Sequence, residues 1–276
     1  MDKKRLARMI RVYAIAIMIL GVTTIFPSCV STTGTPPTLV TYNSTTSTTT
    51  SLTAKGEITN IGGSLLSRRG FVYMEGTEED PVLNNITLVN PSFESGDPPD
   101  GWTYRNSTQV SRVSDAKVGS YALKLEYPGG GSWPYVRTQQ TFNYTEWAGK
   151  AVTVGAWVKS NSGNTRLGIM EWGGAWWSTG TYHPGDGQWH WLRCTTTIPA
   201  SLTANWTIGV VNYNITASYT FLVDDVVLVE NAVFEVGSFD IGSYTLDIKN
   251  LKSATSYRIR AFGENSAGMG YGNTVT

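Results

Sequence analysis

The feature that most constrains this chain is an incomplete set of alternating strands at each of its ends. In Ser51–Thr59, Leu52, Ala54, Gly56 and Ile58 share one face, and Thr53, Lys55 and Glu57 share the other. That period of two marks a half-buried strand. Asn60-Ile61-Gly62-Gly63 reads as a turn, and Arg69–Met74 as the next strand. Residues 36–82 read as three strands, with Arg69–Met74 the third, too few to close a sandwich. The missing partners lie some 150 residues on. There Tyr244, Leu246 and Ile248 alternate, then Tyr257, Ile259 and Ala261, and Tyr271–Val275 forms a last short strand. Two half-sets that are each insufficient point to one sandwich, residues 36–82 plus 232–276, split by an insertion at 83–231.

Composition agrees with an all-β chain. Only 15% of residues are charged, 41% are hydrophobic, and glycine numbers 29, a profile of strands joined by many turns. The 21 basic and 21 acidic residues balance; five basic residues and one acidic residue fall within the first 29, which leaves a net charge of −4 beyond them. With no basic patch, nucleic acid is not a partner. The basic start and the apolar run Ile10–Phe26 read as an export signal or membrane anchor over residues 1–29. The Phe-Pro-Ser-Cys that ends at Cys29 resembles a bacterial lipoprotein cleavage site, although Phe26 and Pro27 depart from the usual pattern. Residues 30–35 are a polar tether. The remainder is expected outside the cytoplasm, secreted or at the cell surface, with the N-terminal segment as its sole link to a membrane. Cys194 stands alone beyond Cys29 and is expected to be a small buried hydrophobe, with neither a disulfide framework nor a cysteine zinc site. Six Asn-x-Ser/Thr sequons occur, at Asn43, Asn85, Asn106, Asn143, Asn205 and Asn214.

Leu251 and Tyr257 with the Asn265…Gly268 turn, and Gly56, Gly62-Gly63 and Arg69–Tyr73 at the other end, resemble a fibronectin type III domain. The resemblance implies that the leucine and tyrosine form the corner that locks two sheets. The insertion opens with Val89-Asn90-Pro91-Ser92-Phe93-Glu94. It continues through Gly101-Trp102, Val118–Leu123, Gly155-Ala156-Trp157-Val158-Lys159 and Phe221–Val226. This ordered set resembles the jelly-roll carbohydrate-binding modules of the family 4, 9 and 22 type, galactose-binding-like. The resemblance implies a non-catalytic glycan-binding function. It further implies that Glu94 and Asp224 supply carboxylates to a structural calcium ion, whose shell carbonyls near Asn90 and Ser120 would complete. First and last strands of such a jelly roll lie side by side, so a host loop can accept it.

All ten tryptophans lie between Trp102 and Trp206, and half of them fall in Glu171–Trp191. About half of the ten are expected in the core, since tryptophan is highly but rarely fully buried. Rings with polar neighbours recognise sugars by stacking and hydroxyl bonding. Strand parity sends Val136 and Phe142, Leu167 and Ile169, Leu192 and Cys194, and Trp206, Ile208 and Val210 inward. It sends Tyr135, Arg137, Gln139, Arg166, Met170, Trp172, Trp191, Arg193 and Tyr213 outward, and Trp157 with them. The expected sugar-binding set is Tyr135, Arg137, Gln139, Trp172, Trp191, Arg193 and Tyr213. The alternative is that these residues pack under the Trp172–Gly187 loop or against the host sandwich. No nucleophile elbow, zinc-protease or phosphate-loop motif occurs, and nothing fixes Glu171 and Asp186 as a glycosidase pair. The chain therefore reads as an exported, non-catalytic surface protein that binds a polysaccharide. The competing reading is a structural or adhesive surface or virion protein whose jelly roll binds a protein partner.

Overall fold

The computed structural model describes residues 34–76, 78–105, 109–130, 136–171, 177–202, 204–213 and 216–276. No helix occurs among them, so none is long and apolar enough to cross a membrane. The expected N-terminal signal or anchor, residues 1–29, lies outside the described residues.

The strands run in order β1 (Thr38–Ser47), β2 (Ser51–Asn60) and β3 (Leu66–Glu75); then β4 (Asn84–Asn85), β5 (Thr103–Arg105), β6 (Gln109–Val113), β7 (Ala122–Tyr127), β8 (Val136–Phe142), β9 (Ala151–Ser160), β10 (Thr165–Glu171), β11 (Trp177–Tyr182), β12 (Trp189–Thr197), β13 (Trp206–Asn212) and β14 (Tyr219–Glu230); then β15 (Ala232–Phe239), β16 (Gly242–Lys249), β17 (Tyr257–Asn265) and β18 (Gly268–Val275). The first three and the last four make one sandwich, β1-β2-β16 against β15-β3-β17-β18. Its core gathers the alternating residues of both chain ends, among them Ile58, Leu66, Phe71, Leu246, Ile248 and Ile259. Tyr244 spans the two sheets: its ring lies against Gly56, and its hydroxyl donates to the Gly70 carbonyl at 3.0 Å. At the corner before β17, the Tyr257 hydroxyl accepts the Lys252 N–H at 2.9 Å. Asn265, nearly buried, accepts from the N–H groups of Ala267 and Gly268 and donates to the carbonyls of Thr35 and Ile61. One side chain thus closes the β17–β18 turn and ties the chain's entry to it.

Strands β4 to β14 form a jelly-roll-like sandwich. A five-stranded sheet, β11-β10-β13-β8-β5, faces a six-stranded one, β12-β9-β14-β7-β6, with β4 paired to β14. Between them pack Phe93, Leu123, Val154, Val158, Leu167, Ile169, Leu192, Trp206, Ile208 and Phe221. Cys194 is buried there, and burial pushes its thiol up to about 11. The pairing of β4 with the end of β14 (Asn85 opposite Val229) sets the two ends of this sandwich side by side.

The two sandwiches meet through the outer face of the six-stranded sheet. The Thr153 hydroxyl donates to the Ala232 carbonyl at 2.5 Å. Trp191 lies 5.8 Å from the Phe234 ring, and Arg193 Nη1 donates to the Phe234 carbonyl at 3.1 Å. Val72, Val229, Ala232, Phe234 and Phe262 fill this seam. Trp191 lies flat enough over β9 that a side chain at Gly155 would come within 2.3 Å of its ring. Glycine is therefore required at that position by its neighbour across the strand pair.

Candidate functional site

The outer face of the five-stranded sheet follows from register. Opposite one another across the sheet stand Arg105, Arg137, Val211, Arg166 and Tyr182, and in the next row Thr103, Gln139, Gly209, Gly168 and Thr179. Trp206, Ile208 and Val210 face the core, so their neighbours Thr207, Gly209 and Val211 face out, as do the residues paired with them. Gly209 and Gly168 sit mid-sheet, and a side chain at Gly209 would strike the Thr138 carbonyl at 2.0 Å. At Gly209 and Gly168 the middle row thus offers backbone alone, buried and partly covered by the Met170 methyl group, with Gln139 on one side.

Gln139 is 1% exposed, and neither its amide oxygen nor its amide nitrogen has a hydrogen-bond partner. The neighbouring Gln140 shows what this residue type does when its role is structural. It faces the core, accepts the Val89 N–H at 3.2 Å and donates back to the Val89 carbonyl. A buried amide left unpaired costs roughly 1–3 kcal/mol. Beside it, Arg137 is equally buried and its Nη1 points at the Met170 sulfur at 2.8 Å, a weak acceptor for so strong a donor. Arg166 is held between two rings, 4.4 Å from Tyr182 and 4.6 Å from Tyr213. Stacking of this kind fixes the plane of a guanidinium. Tyr182, 57% exposed, forms the open rim.

Of the sequence-expected set, Arg137, Gln139 and Tyr213 come together here. Tyr135 and Trp172 lie outside the described residues. Trp191 and Arg193 do not belong: parity sends them outward, but from β12, in the other sheet, where they hold the host sandwich. Trp157 faces out beside them, half-buried, with Trp191 at 5.7 Å and the Lys117 ammonium 4.4 Å over its ring. Tyr182 and Arg166 were not among the expected binding residues. Arg166 was visible as an outward residue, and Tyr182 sits opposite it only because of the β10–β11 pairing. Of the six tryptophans whose side chains are described, Trp102 and Trp206 are buried.

Glu94 and Asp224 converge on one loop. Glu94 Oε1 accepts the N–H groups of Ser120 (2.8 Å) and Tyr121 (3.1 Å); Asp224 Oδ2 accepts those of Lys117 and Val118, both at 2.8 Å. Asp224 Oδ1 accepts the Asp225 N–H. Burial pushes the Asp224 carboxyl up to about 6 against the pull of these three donors. The Asn90 carbonyl, expected in a calcium shell, accepts from Trp102 Nε1 and the Phe93 N–H. These contacts fit two carboxylates clasping main-chain N–H groups; they do not supply the six or more oxygens that calcium needs.

His183, Asp186 and His190 offer ligating atoms within 4.8 Å of one another. The buried His183 is committed, however: Nδ1 accepts the Gly185 N–H at 2.8 Å, which leaves Nε2 to donate to the Gln188 carbonyl at 3.0 Å. Burial lowers its pKa. The ring pins the Pro184–Gln188 turn, and His190 bonds the Asp186 carboxylate at 2.9 Å. Asp186 is lowered by the Gln188 N–H and by His190.

No family model matches the chain, and neither does any curated protein. Solved structures share its general form. The CBM22-1 xylan-binding domain from Paenibacillus barcinonensis Xyn10C is 17% identical over 51% of this chain and 91% of that one, with a TM-score of 0.40. TmCBM61, solved with beta-1,4-galactotriose, is 20% identical over 51% of this chain and 95% of that one, with a TM-score of 0.35. The enzymatically active domain of Bacteriophage CBA120 tailspike protein 4 is 18% identical over 54% of this chain and only 21% of that one, with a TM-score of 0.39. Likenesses at this level carry no residue role from one chain to the other.

Proposed function

We propose that the protein is an exported, non-catalytic glycan-binding protein whose sugar lies on the outer face of the five-stranded sheet. The observation that carries this reading is the buried, unpartnered amide of Gln139. Hydroxyls are the partners that such an amide takes as both donor and acceptor. The rings of Tyr182 and Tyr213 support it as stacking faces of a rim. Catalysis is left out of the reading because no outward position on these five strands is an aspartate or glutamate, and glycosidase chemistry needs a carboxyl pair. The fibronectin type III-like sandwich serves as a spacer that presents the jelly roll. The test is affinity electrophoresis of the full chain through gels containing β-glucan, xylan, mannan, galactan or polyuronate. Retardation by at least one glycan, reduced at least fivefold in Gln139→Ala and Tyr182→Ala, is expected; circular dichroism checks that both variants fold. No retardation by any of them would overturn the reading in favour of a structural or adhesive role.

A further inference from the structure

We infer that the cleft beside the β14–β15 junction, where the two sandwiches meet, is a second binding site. Its ligand is neutral, rich in hydroxyls and about the size of one sugar ring. The cleft holds about 210 Å³, below the roughly 300 Å³ at which pockets for drug-sized ligands begin. Both sandwiches build it. The host gives Glu75 at the end of β3, and Lys252 and Tyr257 at the corner before β17; the jelly roll gives Lys150 ahead of β9. Asn231 joins the two between β14 and β15. Direct bonds hold these walls together. The Asn231 N–H donates to the Ala151 carbonyl and its carbonyl accepts the Tyr73 N–H, both at 2.9 Å. The Thr197 hydroxyl donates to the Asn250 carbonyl at 3.2 Å. The site is separate from the sheet face above and does not depend on Gln139.

The polar group that points to a ligand is Tyr73. It lines the cleft, is 3% exposed, and its hydroxyl has no hydrogen-bond partner. The other tyrosines of this core are bonded: the Tyr244 hydroxyl donates to the Gly70 carbonyl, and that of Tyr257 accepts the Lys252 N–H. Burial raises the Tyr73 pKa, so the group stays protonated and can both donate and accept. Charge sets the class of ligand. The Lys252 ammonium lies 2.6 Å from the Glu75 carboxylate, and that of Lys150 lies 3.6 Å from Glu230. Each cation at the cleft thus has its own carboxylate, which leaves an anion little to neutralise. Hydroxyls can bond to both members of such a pair and to Tyr73 as well. Leu251 and the half-buried Tyr257 ring add apolar wall for the C–H face of a sugar.

The full chain, with ring-labelled tyrosine, is titrated by NMR with glucose, galactose, mannose and xylose, and with glucuronate and inorganic sulfate as anions. The expected result is a saturable shift of the Tyr73 ring, assigned by its absence in Tyr73→Phe, with at least one neutral sugar. Followed on the Tyr257 ring, that sugar should bind about threefold to tenfold more weakly in Tyr73→Phe. Asn231 has φ +50°, which glycine adopts without strain, so Asn231→Gly is a second variant that should weaken the same sugar. Circular dichroism verifies folding of both. A disaccharide that binds as well as its monosaccharide identifies the end of a chain as the ligand, and one that binds more weakly identifies a free sugar; both support the site. No saturable shift of Tyr73 with any neutral sugar would overturn the inference. The sheet-face reading, tested by glycan retardation and its loss in Gln139→Ala, would then stand or fall by itself. Affinity unchanged in both variants would put the sugar elsewhere and overturn the inference. Tighter binding of glucuronate or sulfate than of every neutral sugar would overturn the assignment of a neutral ligand.

Discussion

Trp191 is the residue whose removal separates the two roles an outward tryptophan can play. Its ring sits 5.7 Å from Trp157 and 5.8 Å from Phe234 and crosses over Gly155. Truncating a large aromatic to alanine costs about 3–5 kcal/mol when fully buried. Trp191 is half-buried, so Trp191→Ala should cost about 2–3 kcal/mol and leave glycan binding unchanged. The ring also forbids a side chain at Gly155, where an added Cβ would come within 2.3 Å of Trp191 Cζ2. Gly155→Ala alone should therefore destabilise by about 1–3 kcal/mol through overpacking. In the Trp191→Ala background the same change meets an open space and should cost close to nothing. Urea unfolding of the wild type, the two single variants and the double variant measures the difference. Additive costs would refute the packing argument, and loss of glycan binding in Trp191→Ala with stability intact would return the tryptophan to the sugar site.

Other consequences are equally open to measurement. Asn265→Ala removes four hydrogen bonds from a nearly buried amide and should lower stability by about 2–3 kcal/mol in urea unfolding; a change under 0.5 kcal/mol would contradict the clasp. His183 has its pKa lowered by burial, so below about pH 6.5 the unfolded state takes up the proton first. The stability that neutral His183 contributes is present above that pH and is lost as pH falls through the lowered folded value. Thermal unfolding followed from neutral to mildly acidic pH should show a decline in wild type that is shallower in His183→Gln; equal slopes would contradict it. Because Glu94 and Asp224 are satisfied by main-chain N–H groups, a calcium chelator should leave the unfolding temperature unchanged, and a fall of several degrees would show that an ion takes part.

Much of the fold is legible because apolar side chains alternate where one face of a strand is buried. Ala54, Ile58, Tyr244, Leu246 and Ile248 do so, and they build the core of the split sandwich. β1 is harder to see. Beyond Thr41 its side chains are exposed, so Thr, Ser and Asn there leave no apolar trace, and its pairing with β2 defines it. Parity was enough to send Arg137, Gln139, Trp191 and Arg193 away from the core. It carries no information about which of two sheets a strand joins, and that pairing divides Arg137 and Gln139 from Trp191 and Arg193. Tyr182 illustrates the same limit: it matters because β11 pairs with β10 and sets it opposite Arg166, a long-range choice that no local pattern records.

In the proposed function Gln139 and its row, rather than the tryptophan-rich seam, meet the ligand. NMR titration of the full chain with the glycan that retards it most, following side-chain resonances, distinguishes the two. The Gln139 side-chain amide, assigned by its absence in Gln139→Leu, should shift on addition of glycan while the Trp191 indole N–H stays in place. Movement of the Trp191 indole with an unchanged Gln139 amide would contradict it.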